Sequence, residues 1–159
     1  GPDEYTGPEE AMFTLPNGVV VFNATPHPIT FQCPACAGRE PGTSCRVCQD
    51  TGVLIAPVDK IINATVSETV AKIILQSGIE LDGTDVPVFT LVTPSFERND
   101  EGRAVIAGAK YDGAHLVVGS IIAAQAYPGQ VVAMVPALGF ERVPPDQKRM
   151  RTDKFTVFS

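Results

Sequence analysis

Cys33-Pro-Ala-Cys36 and Cys45-Arg-Val-Cys48 stand eight residues apart and hold all four cysteines of the 159-residue chain. Two Cys-x-x-Cys turns at that separation carry the ligand set of one tetrahedral zinc site, with each thiolate at roughly 2.3 Å from the metal. Four thiolates close the coordination sphere and leave no position for an activated water, so the zinc expected here is structural. Two disulfides, free thiols, or an iron centre on the same four sulfurs are the alternatives. Cysteines confined to ligand spacing point to a reducing compartment, the cytoplasm. Asp50-Thr-Gly52 frees the backbone after the second pair, as Ala37-Gly38 does after the first. His27 and His115 read as hydrogen-bonding residues at strand edges rather than as further ligands.

The elements that must position these cysteines are short strands. Ile29–Gln32 runs straight into Cys33, and the apolar Val53–Ala56 leaves after Gly52, so the metal loop tips a β-hairpin inserted over residues 31–54. Upstream, residues 12–15 and 19–22 flank Pro16-Asn17-Gly18, a strand–turn–strand signal, and Pro26 and Pro28 exclude helix from the stretch that follows. Residues 61–66 and 86–93 are predicted strands and 78–83 a turn. Residues 67–75 fit either a capped helix or a strand, strand being preferred. Residues 98–103 are predicted as a charged hairpin tip from which 104–107 returns. Leu116–Val118 and 131–135 read as strands. Ser120 reads as the N-cap of a helix over 121–127, stopped by Pro128-Gly129. Residues 141–153 read as a charged, proline-containing loop and 154–158 as a last strand. About ten short strands and one or two short helices give a mostly β, α+β fold: one compact, antiparallel β-rich domain over 11–159. A polar tail over 1–10 precedes it, and its Gly-Pro start resembles a protease remnant.

An apolar fraction of 44% with 19% charged residues is that of a globular chain able to bury a core. Acids outnumber bases 18 to 12, for a net charge of −6, which argues against duplex nucleic acid as a partner. No apolar run approaches the roughly 18 residues of a membrane span, and the acidic start lacks a signal-peptide pattern. No phosphate-binding glycine loop or Gly-x-Ser-x-Gly elbow is present, and no cysteine remains as a nucleophile, so an enzyme is not expected. Asp82 with Asp85, and Asn99-Asp-Glu101, fall where turn geometry alone favours Asp and Asn. Lys148, Arg149, Arg151 and Lys154 form the one basic cluster.

Two segments taken together carry a resemblance. Asn23-Ala-Thr-Pro-His-Pro-Ile-Thr30 resembles the "N-x-T-P-H-x-I" strand of a family of small phage proteins. Val118-Gly-Ser-Ile-Ile-Ala-Ala-Gln-Ala126 resembles that family's later "V-S-x-L-V-A-Q-A" helix start, and Val131-Val-Ala-Met-Val-Pro136 takes the place of its "V-V-A-P" strand. The resemblance spans residues 19–136 on about 20 positions. It implies an anti-defence sponge of the anti-Thoeris type, which sequesters cyclic ADP-ribose signals without cleaving them and works as a homo-oligomer in the host cytoplasm. The chain departs from the pattern in its cysteine hairpin and its C-terminal segment. Matching positions carry over Thr25, His27, Ser120 and Gln125. A pocket for a nucleotide-like ligand also needs aromatic surfaces and cations, for which Phe89, Phe96, Tyr111 and Tyr127 with Arg98 and Arg103 are the candidates. The competing reading is a protein–protein interaction module in which the zinc hairpin presents its tip to a host protein.

Overall fold

The computed structural model describes residues 12–36, 45–81 and 84–159, with the backbone alone over 75–88. The predicted tail, the Ala37-Gly38 turn and the side chains of Asp82 and Asp85 lie outside what is described. The described residues are β-rich with two short α-helices. In order it forms β1 (Phe13–Thr14), β2 (Val20–Asn23), β3 (Ile29–Gln32), β4 (Val53–Ala56), β5 (Thr65–Leu81), β6 (Thr84–Glu97), α1 (Asp100–Tyr111), β7 (Leu116–Val118), α2 (Ile121–Ala126), β8 (Ala133–Pro136) and β9 (Met150–Thr156). Strand order is β1-β2-β7 in one sheet, β4-β3-β9-β8 in a second, and β5-β6 in a ribbon of their own.

Strand alternation stacks these elements in layers. On β7, Val117 joins a core with Val105, Ile106 and Ala109 of α1 and Ala123 and Ala124 of α2, whereas the next residue, Val118, joins Val21, Ile29 and Phe31. Successive strand side chains point to opposite faces, so the β1-β2-β7 sheet lies between the helices and the β4-β3-β9-β8 sheet. β2 pairs with β7 in parallel, while β1 and β2 form the antiparallel hairpin that Pro16-Asn17-Gly18 announces. Gly18 sits at φ 90°, which an L side chain rarely adopts.

The largest departure from the sequence reading is residues 98–107, which form no hairpin tip. Asn99 caps α1 with its side chain accepting from Gly102 N–H, and Asp100 and Glu101 occupy the first turn, where the helix dipole favours acids. Val105, Ile106 and Ala109 then bury one stripe of that helix. A Cβ on Gly102 would sit 2.0 Å from the Tyr127 hydroxyl, which accepts from Asn99 N–H at 2.9 Å, so glycine here lets α1 close on a fully buried Tyr127. Residues 61–64 are not strand. β5 begins at Thr65, takes in the ambiguous 67–75 as strand, and runs through the expected turn to Leu81. β9 starts at Met150, four positions before the predicted last strand. Its charged residues satisfy each other at the surface, Arg151 donating twice to Asp153 at 2.8 and 2.9 Å.

Asn23 fastens the β2 end to the strands beside it. Its backbone N–H donates to Asp59 Oδ2 at 2.7 Å and its carbonyl accepts from Asp59 N–H at 2.9 Å. Burial holds the Asp59 carboxyl above the usual carboxylate range, with the Asn23 N–H opposing it. A raised folded-state pKa means the native state binds the extra proton. This contribution to stability is therefore full below the unfolded value and is lost as pH rises through the folded one. Asp59→Asn keeps an acceptor and removes the charge. It should match the parent at neutral pH to within about 1 kcal/mol, since Asp59 is partly solvated and screened. It should also gain less on acidification. Denaturant melts of both proteins at acidic and neutral pH measure this, and identical pH slopes would refute it.

Candidate metal centre and adjoining groove

The hairpin that carries the cysteines forms as its sequence dictates. β3 and β4 pair antiparallel from Ile29↔Ala56 to Gln32↔Val53, and Cys33 N–H donates to Gly52 O at 2.9 Å, closing the ladder just beyond the strands. The chain turns back through Gln49 and Asp50, both at positive φ, and Gly52 at φ 79°. Asp50 accepts from Cys45 N–H through Oδ1, and the Thr51 hydroxyl lies 2.7 Å from Cys48 O. Asp50-Thr-Gly52 thus does the work of a turn by side-chain capping and left-handed backbone together.

These turns bring the four sulfurs of Cys33, Cys36, Cys45 and Cys48 within 4.8 Å of one another. Cys33 and Cys45 are 3.9 Å apart and Cys36 and Cys48 3.4 Å, all four as free thiols. A tetrahedron with metal–sulfur bonds of roughly 2.3 Å has edges of about 3.8 Å. Donor type, number and spacing therefore fit a metal ion such as zinc. The electrostatics also suit a cation. Against the desolvation of burial, Gly52 N–H, 3.1 Å from Cys48 Sγ, and the neighbouring thiols lower Cys48 to about 6. Its hydrogen bond to Cys48, with desolvation, pushes Cys36 up to about 12. One thiolate forms readily and holds its neighbour protonated through a hydrogen bond, a proton that a divalent cation would replace.

The centre is joined to the core rather than hung from it. Cys33 is fully buried, and β3 is an inner strand whose Phe31 is also fully buried and pairs with Met150 of β9. Arg149, held over the Phe140 ring at 5.0 Å, packs beside Gly52.

The other sequence candidates separate. His27 and Ser120, 93 positions apart, line one groove of about 350 Å³, together with Thr25, Met134, Lys148 and Met150. Gln125 is half-buried on α2 and does not line it. Arg98 is exposed just ahead of α1, and Arg103 lies on α1 paired with Asp100 at 2.8 Å; neither lines the groove. The aromatic set is not a stacking platform: Tyr127 is fully buried, while Tyr111 is 91% exposed on the surface of α1. The acidic pair Asp100 and Glu101 is the first turn of that helix.

Sequence reasoning missed Lys148 as a groove residue and passed over Asn23. Asn23 Nδ2 donates to His27 O at 3.0 Å and Ala56 O at 3.1 Å, and its Oδ1 accepts from Thr25 N–H at 2.9 Å. The Thr25 hydroxyl lies 2.7 Å from both Asn23 Oδ1 and His27 O. Asn-x-Thr followed by Pro is the signal that could have revealed this turn. Another groove, about 410 Å³ beside α1, is lined by Asp59, Glu101 and Asp112 against Lys60, an acid excess unsuited to an anion. Among the described residues no helix is long and apolar enough to cross a membrane. Comparison with protein-family models, curated proteins and solved structures finds no match to the chain.

Proposed function

We propose that the protein is a non-enzymatic, phage-type binding protein. It sequesters a nucleotide-derived signal in the groove beside His27 and Ser120, with a structural zinc holding the adjoining hairpin. One observation carries this reading: His27 and Ser120, taken from two separate motifs, share a groove of about 350 Å³ with Lys148. That volume lies within the roughly 300–1,000 Å³ of small-molecule sites. The lining is divided as such a ligand requires. Pro26, Pro28, Met134 and Met150 supply apolar surface for a base or ribose, and Lys148 and His27 supply nitrogen donors for phosphate. Ser120 Oγ accepts from Ala123 N–H at 3.1 Å, which leaves its own hydrogen to donate. Sequestration asks for orientation and charge neutralisation, and these groups provide both.

The test is a thermal-shift screen with cyclic nucleotides and ADP-ribose derivatives, followed by recovery of the ligand after denaturation. Stabilisation with release of unmodified ligand is expected. Lys148→Ala should weaken binding about tenfold, the loss of one charge-assisted hydrogen bond. Turnover would make the protein an enzyme, and no shift with any nucleotide would end the sequestration reading.

A further inference from the structure

The groove beside His27 does not end at Lys148. A neighbouring groove of about 380 Å³ shares Thr30 and Lys148 with it and runs on to Phe140 and Arg149. Lys148 therefore stands at the junction of the two. Its ammonium donates to Glu141 O at 3.1 Å and keeps two of its three N–H groups for other acceptors.

Arg149 is fixed in place without its donors being used. Its carbonyl accepts from Ala137 N–H at 2.8 Å, and its guanidinium lies over the Phe140 ring at 5.0 Å. Nη1 meets the open side of Gly52, 3.4 Å from where a Cβ would stand. None of these contacts gives a guanidinium N–H an acceptor. Among the described residues Arg149 has no ion pair and no side-chain hydrogen bond, whereas Arg103 and Arg151 are paired with Asp100 and Asp153. A half-buried guanidinium held this way is a preformed anion site. Its five N–H groups form a rigid fork that matches phosphate oxygens, and little has to be ordered on binding.

Charge points the same way. Across the two grooves Lys148 and Arg149 face one acid, Asp146, a local positive excess in a chain that carries −6. An excess of that sign inside a groove raises the local concentration of anions. The two cations are also consecutive residues lining one groove, which suits two linked phosphates better than two remote ones. We propose that Arg149 forms a second phosphate subsite, so that the ligand is a nucleotide with two linked phosphates, one at Lys148 and the next at Arg149. This rests on the sequestration reading of the His27 groove and adds to it the class of ligand and the residue that selects it. A nucleoside monophosphate leaves the Arg149 fork empty.

Titration calorimetry with AMP, ADP and cyclic AMP tests it. The parent should bind ADP about tenfold more tightly than AMP, the worth of one charge-assisted contact. Arg149→Gln should abolish that preference and leave AMP affinity within about twofold, while Lys148→Ala weakens both nucleotides. A melting midpoint near the parent's shows that each variant folds. If Arg149→Gln does not, Phe140→Leu keeps the guanidinium but removes the ring that holds it, and should cut the preference at least threefold. Equal affinity of the parent for AMP and ADP overturns the subsite and leaves the sequestration reading standing. So does tighter binding of cyclic AMP than of ADP, or an Arg149→Gln variant that loses AMP and ADP affinity in equal proportion. Failure of all three nucleotides to bind overturns both.

Discussion

Cys36→Ser, or chelation of the parent, is expected to lower the unfolding free energy by about 3 kcal/mol or more, roughly 10 °C in midpoint for a chain of this length. A zinc on an appended loop would cost the fold little when lost. This centre differs because its first ligand, Cys33, is fully buried, one residue beyond an inner strand, and donates its N–H to Gly52 O at 2.9 Å. Metal loss leaves four thiols crowded within 4.8 Å, with Cys48 lowered to about 6, so like charge accumulates as pH rises and the turn opens to relieve it. Opening the turn frees Gly52 and with it the packing of Arg149 and the β3–β9 contact at Phe31 and Met150. Because ligands bind as thiolates, metal affinity falls as pH falls, and holo stability should fall with it. Zinc content and thermal melts before and after chelation check this. Reduced native protein with much less than one zinc per chain, or an unchanged midpoint after metal removal, would refute it.

Where local chemistry and tertiary need agree, the sequence is legible. Ile29–Gln32 and Val53–Ala56 are strands at the predicted bounds because β-branched residues, turn residues and the cysteine spacing all ask for a hairpin there. Ser120 caps α2 as its position before an apolar run implies. Helix α1 was hidden because Asn99-Asp-Glu-Gly102 is equally good as a turn and as an N-cap with an acidic first turn. What decides between them is Tyr127, 25 residues beyond Gly102, whose hydroxyl holds Asn99 in place. The sequence reading breaks the long ribbon at Gly78 and ends its second strand before Pro94, although it carries that strand through Pro87. Pro87 and Pro94 are tolerated because each strand of a two-stranded ribbon has an unpaired edge, where a missing N–H costs nothing. The cysteine cluster needed only spacing. The groove needed the fold, since no local pattern ties Lys148 to His27 or Ser120.

Asn23→Asp is the substitution in the core with the largest expected effect, about 3 kcal/mol or more at neutral pH. The side chain is fully buried and uses both of its functional groups: its amide donates to His27 O and Ala56 O, and its oxygen accepts from Thr25. A carboxylate has the same shape and no donor. It would face two carbonyl oxygens across roughly 3 Å in a desolvated site and leave the Ala56 carbonyl without its side-chain partner. Protonation relieves part of this, so the variant's deficit should narrow as pH falls. Asn17→Asp is the control. Asn17 is exposed in the β1–β2 turn: its oxygen accepts from Val19 N–H at 3.0 Å, a role a carboxylate keeps, and its amide donates to Thr152 O at 3.3 Å, a bond a carboxylate loses but water replaces, so the change should cost only about 1 kcal/mol. The consequence reaches the groove. Asn23 closes the 23–27 turn from inside while the exposed His27 lines the groove, so the Asn-x-Thr-Pro-His pattern joins a fold-holding residue to a groove-lining one. Denaturant midpoints of the two variants separate these roles. If Asn23→Asp unfolds at the parent's midpoint, the turn is held by its prolines and not by Asn23. If it is destabilised as expected, the turn is held from inside by Asn23, whose amide ties His27 O to Ala56 O.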